Sequence, residues 1–387
     1  MSYYQRNKKN HQTNRKRMSS KQIDINQFVK KATISTKAIY QNIHSFTDFI
    51  LDPRLNQNIN QLGLIKPTPI QDQTIPAGLN KQDIIGIANT GTGKTAAFLI
   101  PVINRLINEK DAYAIIMAPT RELAEQIQQQ YRQLAKNTKL VDALLIGGIG
   151  IMPQIRQLKY KPEIIIGTPG RIKDHINRQS LNLDQFNIVV LDEVDRMLEM
   201  GFVEDIKAII KLTKPQRQNF CFSATLNPSI KSIITTITND PLYITINSSK
   251  TSENVNQDIV KYSSNLDKIN KLHDLLIQKT ATKVLIFDDT KRNVEKLAID
   301  LASRGFLTNS IHGNKSQYQR QQVLQQFKDN KINVLVATDV AARGLDVHDI
   351  SHVINYSLPQ TFDDYIHRIG RTGRADKTGS ALTFVNQ

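Results

Sequence analysis

A chain of 387 residues with 40% apolar and 22% charged side chains has enough material for two globular domains and a tail. One cysteine, Cys221, excludes an internal disulfide or a zinc cluster, and the absence of tryptophan argues against an aromatic-lined sugar groove. A net charge of +16 favours a polyanionic partner, and no run approaches the roughly 18 apolar residues a membrane span needs.

Residues 1–45 come first and hold ten Lys/Arg against a single acid, Asp24, so +9 of the +16 resides there. So polar a stretch cannot bury a core, and it is expected to be a disordered tail that tethers phosphate backbones in a salt-dependent way or only solubilises the chain. A polar, basic start without an apolar stretch behind it is no secretory leader, so a cytoplasmic protein is expected.

From residue 46 onward, short apolar runs alternate with helical patterns. The runs 84–88, 114–118, 143–146, 163–167, 188–192 and 220–223 are continuously apolar, as parallel strands covered on both faces must be. Residues 122–135 between two of them carry apolar positions at helical spacing. The polar stretch 247–254 breaks this rhythm, and a second set follows at 283–287, 333–337, 353–356 and 381–385. The expectation is α/β: a first domain over 46–247, a linker over 248–256 and a second domain over 257–387. Each is a mostly parallel sheet with helices on both faces.

The chemistry-bearing motifs follow the same order. In Ala88-Asn-Thr90-Gly91-Thr92-Gly93-Lys94-Thr95 the glycines let backbone amides face a polyphosphate. The helix expected to start at Lys94 adds its positive end, Lys94 reaches the terminal phosphates and Thr95 presents a hydroxyl to Mg²⁺. Asp192-Glu193-Val194-Asp195 stands at the end of an apolar strand, where Asp192 can hold Mg²⁺ through water and Glu193 can orient the attacking water. In the second half, His367-Arg-Ile-Gly-Arg371-Thr-Gly-Arg374 presents three arginines without neighbouring acids. Arg371 and Arg374 are candidate arginine fingers that reach the γ-phosphate only when the two halves close.

These motifs, in this order and at roughly this spacing over residues 46–387, resemble the DEAD-box ATP-dependent RNA helicases of helicase superfamily 2. The resemblance implies two tandem RecA-like domains. It makes Gly63-Leu-Ile-Lys-Pro67-Thr-Pro-Ile-Gln71 an adenine-reading motif, with Gln71 on the base and Phe46, seventeen residues before Gly63, packed near it. It gives Ser223-Ala-Thr225 the coupling of ATP state to strand separation through hydroxyls reaching Asp195. Asp346 receives a ribose contact, His367 a relay between motifs, and Thr338 and Asp339 a place near RNA phosphate. Pro119-Thr120-Arg121, Gly147-Gly148, Thr168 and Arg171, and Arg320 resemble the family's RNA-contacting set. Hydroxyls, glycine amides and arginines at strand-to-helix turns suit phosphates and carry no base-edge readout, so RNA binding with little sequence specificity is expected.

Three departures stand out: Val194 replaces the usual alanine, where its bulk threatens the placement of Asp195; Asp288 and Asp289 lie where an RNA path is expected; and no auxiliary C-terminal domain is expected. An RNA helicase working as a monomer is the first reading. An ATP-gated RNA clamp without unwinding and a DNA translocase are its rivals, and ribosomal or RNA-decay proteins fit as further partners without being distinguished.

Overall fold

The structure is a computed structural model that describes residues 25–32, 40–89, 91–246, 254–342, 347, 349–373 and 378–387. Three of the expected site residues, Thr90, Asp346 and Arg374, lie outside the described residues.

The first lobe is built on seven parallel strands: β1 (Ile84–Ile87), β2 (Ala114–Met117), β3 (Asp142–Leu145), β4 (Ile164–Gly167), β5 (Ile188–Leu191), β6 (Gln218–Ser223) and β7 (Leu242–Thr245). They lie in the order β3-β4-β2-β5-β6-β1-β7. Alternate residues of one strand feed opposite faces: in β2, Ile115 and Met117 join one apolar cluster, while Ala114 and Ile116 join the other. Both faces are therefore dry, which is why these strands lack polar alternation.

The second lobe carries β8 (Val255–Tyr262), β9 (Val284–Phe287), β10 (Thr308–Ile311), β11 (Val334–Ala337), β12 (His352–Asn355) and β13 (Gly379–Asn386). Their order is β10-β11-β9-β12-β13-β8, again with parallel pairing.

Strands β7, β8 and β10 were not legible in the sequence, and all three lie at sheet edges. An edge strand has one open rim and need not be apolar throughout; β7 exposes three of its four residues, and β8 alternates at its start. Because β8 pairs with β13 from Val255 onward, the second lobe starts inside the stretch expected as linker. The tail also departs from expectation. Residues 25–32 include a short 3-10 helix, and Phe28 is buried against Tyr365 of the second lobe.

Candidate nucleotide and RNA site between the lobes

Adjacent strands deliver the nucleotide motifs. β5, β6 and β1 lie side by side, with Leu191 in register with Cys221 and Ile87 in register with Ser223. Their carboxyl ends place the phosphate loop, Asp192 and the Ser223 turn at one rim, where open α/β sheets bind ligands.

The loop enters the Lys94–Asn108 helix through Gly93, whose φ is +91°. A side chain there would be strained, and its Cβ would lie 2.5 Å from Gln71 Nε2. Gly91 also has a positive φ, and Thr92 Oγ1 donates to Asn89 O at 2.9 Å, tightening the turn. Lys94 is buried and donates from Nζ to Ala88 O at 2.7 Å, folded over the loop it would otherwise extend across.

Asp192 and Glu193 are both buried, and Glu193 adopts a left-handed conformation, φ 53°, at the start of the Val194–Glu199 helix. Burial lifts the Asp192 carboxyl to about 7; Lys94 opposes that rise, and the nearby Glu193 and Asp195 charges add to it. Such crowding of negative charge favours a cation. Among the described residues no three acidic, His or Cys side chains form a metal cage. The donor set, one carboxylate with the Thr95 hydroxyl at the same cavity, fits Mg²⁺, which keeps most of its water and takes phosphate oxygens.

A cavity of about 1020 Å³ unites the two lobes, with Gly93, Lys94, Thr95, Asp192 and Glu193 on one side and Arg371 on the other. Arg371 is buried there. Gln71 and Phe46 both make contacts within the first lobe. Gln71 Oε1 accepts from Thr68 N at 2.9 Å and its Nε2 donates to Gly93 O at 3.1 Å, so the amide braces the phosphate loop in this state. Phe46 is buried edge-on against Phe49 in the first-lobe core.

The coupling contact is made by the Thr225 hydroxyl, as expected, and by two backbone amides. Asp195 Oδ2 accepts from the backbone amides of Ala224 at 3.0 Å and Thr225 at 3.2 Å, with Thr225 Oγ1 at 3.4 Å. Ser223 Oγ is buried and has no hydrogen-bond partner among the described residues. The two backbone amides and the Thr225 hydroxyl together carry the link. Val194 is fully buried in the apolar cluster beneath, and its extra bulk leaves Asp195 on those amides.

The second-lobe arginines also sort differently. Arg368, the first of the three, donates bidentately to Asp339 at 2.6 and 2.7 Å and to Asn355 and Ser357 O. Asp339 thus holds a buried arginine. His367 lines a small gap with Arg196 of the first lobe and Asp364. Thr338 begins the Asp339–Ala342 turn, its carbonyl accepting from Ala341 and Ala342 N.

On the expected RNA face, Thr120 and Thr168 are the N-cap residues of the Arg121–Leu134 and Pro169–Asn177 helices, and Thr120 Oγ1 accepts from Leu123 N. Pro119 precedes the first of these caps. Arg121 lies over Gly147 and Gly148; Gly148 has φ +78°, and a Cβ there would collide with Arg121 Nη1. Arg171 donates to Ile149 O at 3.0 Å. Arg121, Arg171 and the glycine turn thus share one face, with desolvation and the nearby Arg320 and Arg171 charges lowering the Arg121 pKa.

Arg320 does something else. It forms a buried ion pair with Glu122 of the first lobe at 2.7 Å. Beside it, Gln317 and Gln321 of the Gln317–Lys328 helix donate to Glu125 at 3.1 and 2.7 Å. This latch was missed because its partners lie far apart in sequence and each half reads as an ordinary polar helix stripe.

Burial lifts the Glu125 carboxyl from its ordinary 4.5 to about 7; the Gln317 bond opposes this and the Glu122 charge adds to it. The raised value means that burial of Glu125 between the lobes favours its protonated form while the Gln317 and Gln321 bonds oppose this, so the net contribution is fullest below 4.5 and lost as pH rises through 7. The RNA concentration that half-saturates ATP turnover should therefore rise severalfold from pH 6 to pH 8, and Glu125→Gln should remove most of that change. A variant with the parental pH profile would exonerate Glu125.

A phosphate loop and buried carboxylate pair in one lobe, facing an arginine from a second lobe of like build, define a two-lobed nucleotide-hydrolysing enzyme. Two family models match: DEAD/DEAH box helicase over residues 68–233 and helicase conserved C-terminal domain over 267–376. The ATP-dependent RNA helicase CshA of Listeria monocytogenes is 45% identical over 342 residues, covering 88% of this chain and 66% of the relative. The DEAD-box ATP-dependent RNA helicase CshA of Bacillus subtilis is 43% identical over 343 residues, covering 88% and 69%. Among solved structures, S. cerevisiae Dbp5 bound to RNA and ADP BeF3 superposes with a TM-score of 0.78 at 30% identity, covering 89% of this chain and 90% of that one. The chain belongs to the DEAD-box ATP-dependent RNA helicases, a family of RNA-stimulated ATPases and helicases. It spans about two thirds of the length of those CshA relatives.

Proposed function

We propose that this chain hydrolyses ATP with Mg²⁺ and uses closure of its lobes on RNA to separate short duplexes locally or to remodel RNA–protein complexes. The observation that carries the reading is the shared cavity: Lys94, Asp192 and Glu193 on one lobe, Arg371 on the other. Thr95 and Asp192 would hold Mg²⁺, largely through water, and the ion would neutralise phosphate charge. Lys94 would leave Ala88 O for the β- and γ-phosphates, Glu193 would orient water and take its proton, and Arg371 would stabilise charge on the transferred phosphoryl group. Asp195 on the Ala224 and Thr225 amides would pass the state of that site to the RNA face. Arg121, Arg171 and the helix caps at Thr120 and Thr168 would grip the RNA backbone, with the basic N-terminal residues adding a salt-sensitive tether. Monomeric action in the cytoplasm completes the reading and agrees with a lone, buried cysteine.

A short RNA duplex with a single-stranded extension should be displaced by the protein with ATP, and RNA should stimulate ATP turnover where DNA of the same sequence does not. Stimulated turnover without displacement would make the chain an RNA clamp; equal stimulation by DNA would make it a DNA translocase.

A further inference from the structure

β8 ends the strand order of the second-lobe sheet, and a bare edge strand leaves backbone amides and carbonyls unpaired. Residues that precede the first lobe in the chain cover part of this edge. Lys30 N donates to Gln257 O at 3.0 Å and Gln257 N to Lys30 O at 2.8 Å, an antiparallel bridge, and Ala32 N donates to Asn256 Oδ1 at 2.9 Å. Phe28, only 1% exposed, fills a cluster made with Val255, Tyr365, Ile369 and Ala381, its ring 4.6 Å from that of Tyr365. Tyr365 in turn donates to Gln257 Oε1 at 2.9 Å, so the backbone bridge and the aromatic seat meet on one residue. Strand addition at a sheet edge, with a side chain in a pocket, is a recognised way to hold an extended peptide.

The seat brackets the arginine motif. Tyr365 and Ile369 belong to the Phe362–Ile369 helix, which also carries Arg368 and ends two residues before Arg371. On the far side, Gly373 lies so near Val255 that a Cβ on the glycine would stand 2.7 Å from Val255 Cγ2. Arg371 N donates to Arg368 O, which extends the helix by a tight turn. Arg371 thus stands on a short segment whose two ends rest on one apolar cluster, and Phe28 is part of that cluster. Protein interiors are packed tightly enough that removing a buried ring shifts its neighbours.

We propose that residues 25–32 are a resident peptide ligand of the second lobe and that Phe28 is a positioning residue for Arg371. The role rests on the helicase reading, in which Arg371 stabilises charge on the transferred phosphoryl group. Phe28 acts through Tyr365, Ile369 and Val255 on the backbone that aims the guanidinium. All of these contacts lie between the segment and the second lobe, so the role is the same whether the lobes are apart or together.

The test uses the full chain as Phe28→Ala/Lys30→Pro, which empties the pocket and removes the bridging amide hydrogen, beside Lys30→Gln, which removes only the charge. At saturating ATP and RNA the double variant should turn ATP over about tenfold more slowly, the cost of a misplaced catalytic group. The ATP and RNA concentrations that half-saturate it should stay within about twofold of the parent, because the phosphate loop and Arg121 are untouched. Lys30→Gln should keep the parental rate, and Phe28→Leu, which keeps apolar bulk without the ring, should fall between the two. A synthetic peptide of residues 25–32 should bind the double variant and not the parent, whose seat is filled, and should restore most of the lost rate. Rates are read well below each variant's melting temperature. A lowered melting temperature with a full maximal rate would overturn the positioning role and leave the segment a plain support. A peptide that binds without restoring the rate would do the same, and one that does not bind would remove the seat. A parent without RNA-stimulated turnover would sink the helicase reading and this role with it; a variant as fast as an active parent would sink the role alone.

Discussion

Arg371→Ala should lower RNA-stimulated ATP turnover by about 10³-fold, or about 4 kcal/mol of barrier, because the group that neutralises charge on the transferred phosphoryl group is supplied by the opposite lobe. Arg371 is buried at the cavity that also holds Lys94, Asp192 and Glu193. Its planar guanidinium can meet two phosphate oxygens at once, so Arg371→Lys should recover little of the loss. Nucleotide binding to the first lobe should persist, since the phosphate loop lies wholly in that lobe. The measurements are turnover at saturating RNA and ATP, and nucleotide affinity by equilibrium binding. A fall of less than tenfold would remove the split active site from the account.

Glu193→Gln should cut turnover by about 10² to 10⁴-fold, the usual contribution of a positioned base, while leaving ATP and RNA bound. Glu193 is buried, with a left-handed backbone, φ 53°, at the start of the Val194–Glu199 helix. Held there by the chain, the amide substitute keeps shape and hydrogen bonding but cannot take a proton. Since closure needs bound ligands and reopening needs hydrolysis, the variant should retain RNA in the presence of ATP much longer than the parent. RNA release followed in real time, beside steady-state turnover, checks both halves of the expectation. Fast release with slow turnover would mean hydrolysis does not reopen the lobes.

Much of the fold was legible because burial imposes composition. β1, β2, β4, β5, β9 and β11 are covered on both faces, and each shows as an apolar run. The strands β7, β8 and β10 escaped notice because an edge strand satisfies its backbone on one side and can be polar, as Thr308-Asn309-Ser310 is in β10. The nucleotide motifs were legible for another reason: a phosphate cradle needs glycines, a lysine and a hydroxyl in one short loop, so its chemistry is local.

Contacts between distant segments were not legible in the sequence. Arg320 and Asp339, both expected on RNA, are paired with Glu122 and Arg368. Gln71 braces Gly93, and the Asp195 contact falls to the Ala224 and Thr225 amides and the Thr225 hydroxyl rather than to Ser223 Oγ. In each case the residue type was right for a polar contact, and the partner was set by which helices and strands came to lie side by side.

By itself, the order of residues determined a two-lobed α/β chain with a phosphate loop, a carboxylate pair and an arginine motif, because each of these is encoded within a few neighbouring positions. Only the tertiary structure decided that Arg371 shares a cavity with Lys94, that Glu122 and Glu125 latch onto the second lobe, and that Phe28 is buried against Tyr365. Those contacts join residues widely separated along the chain, and their energy arises from desolvation and geometry that exist only once both lobes have folded and met.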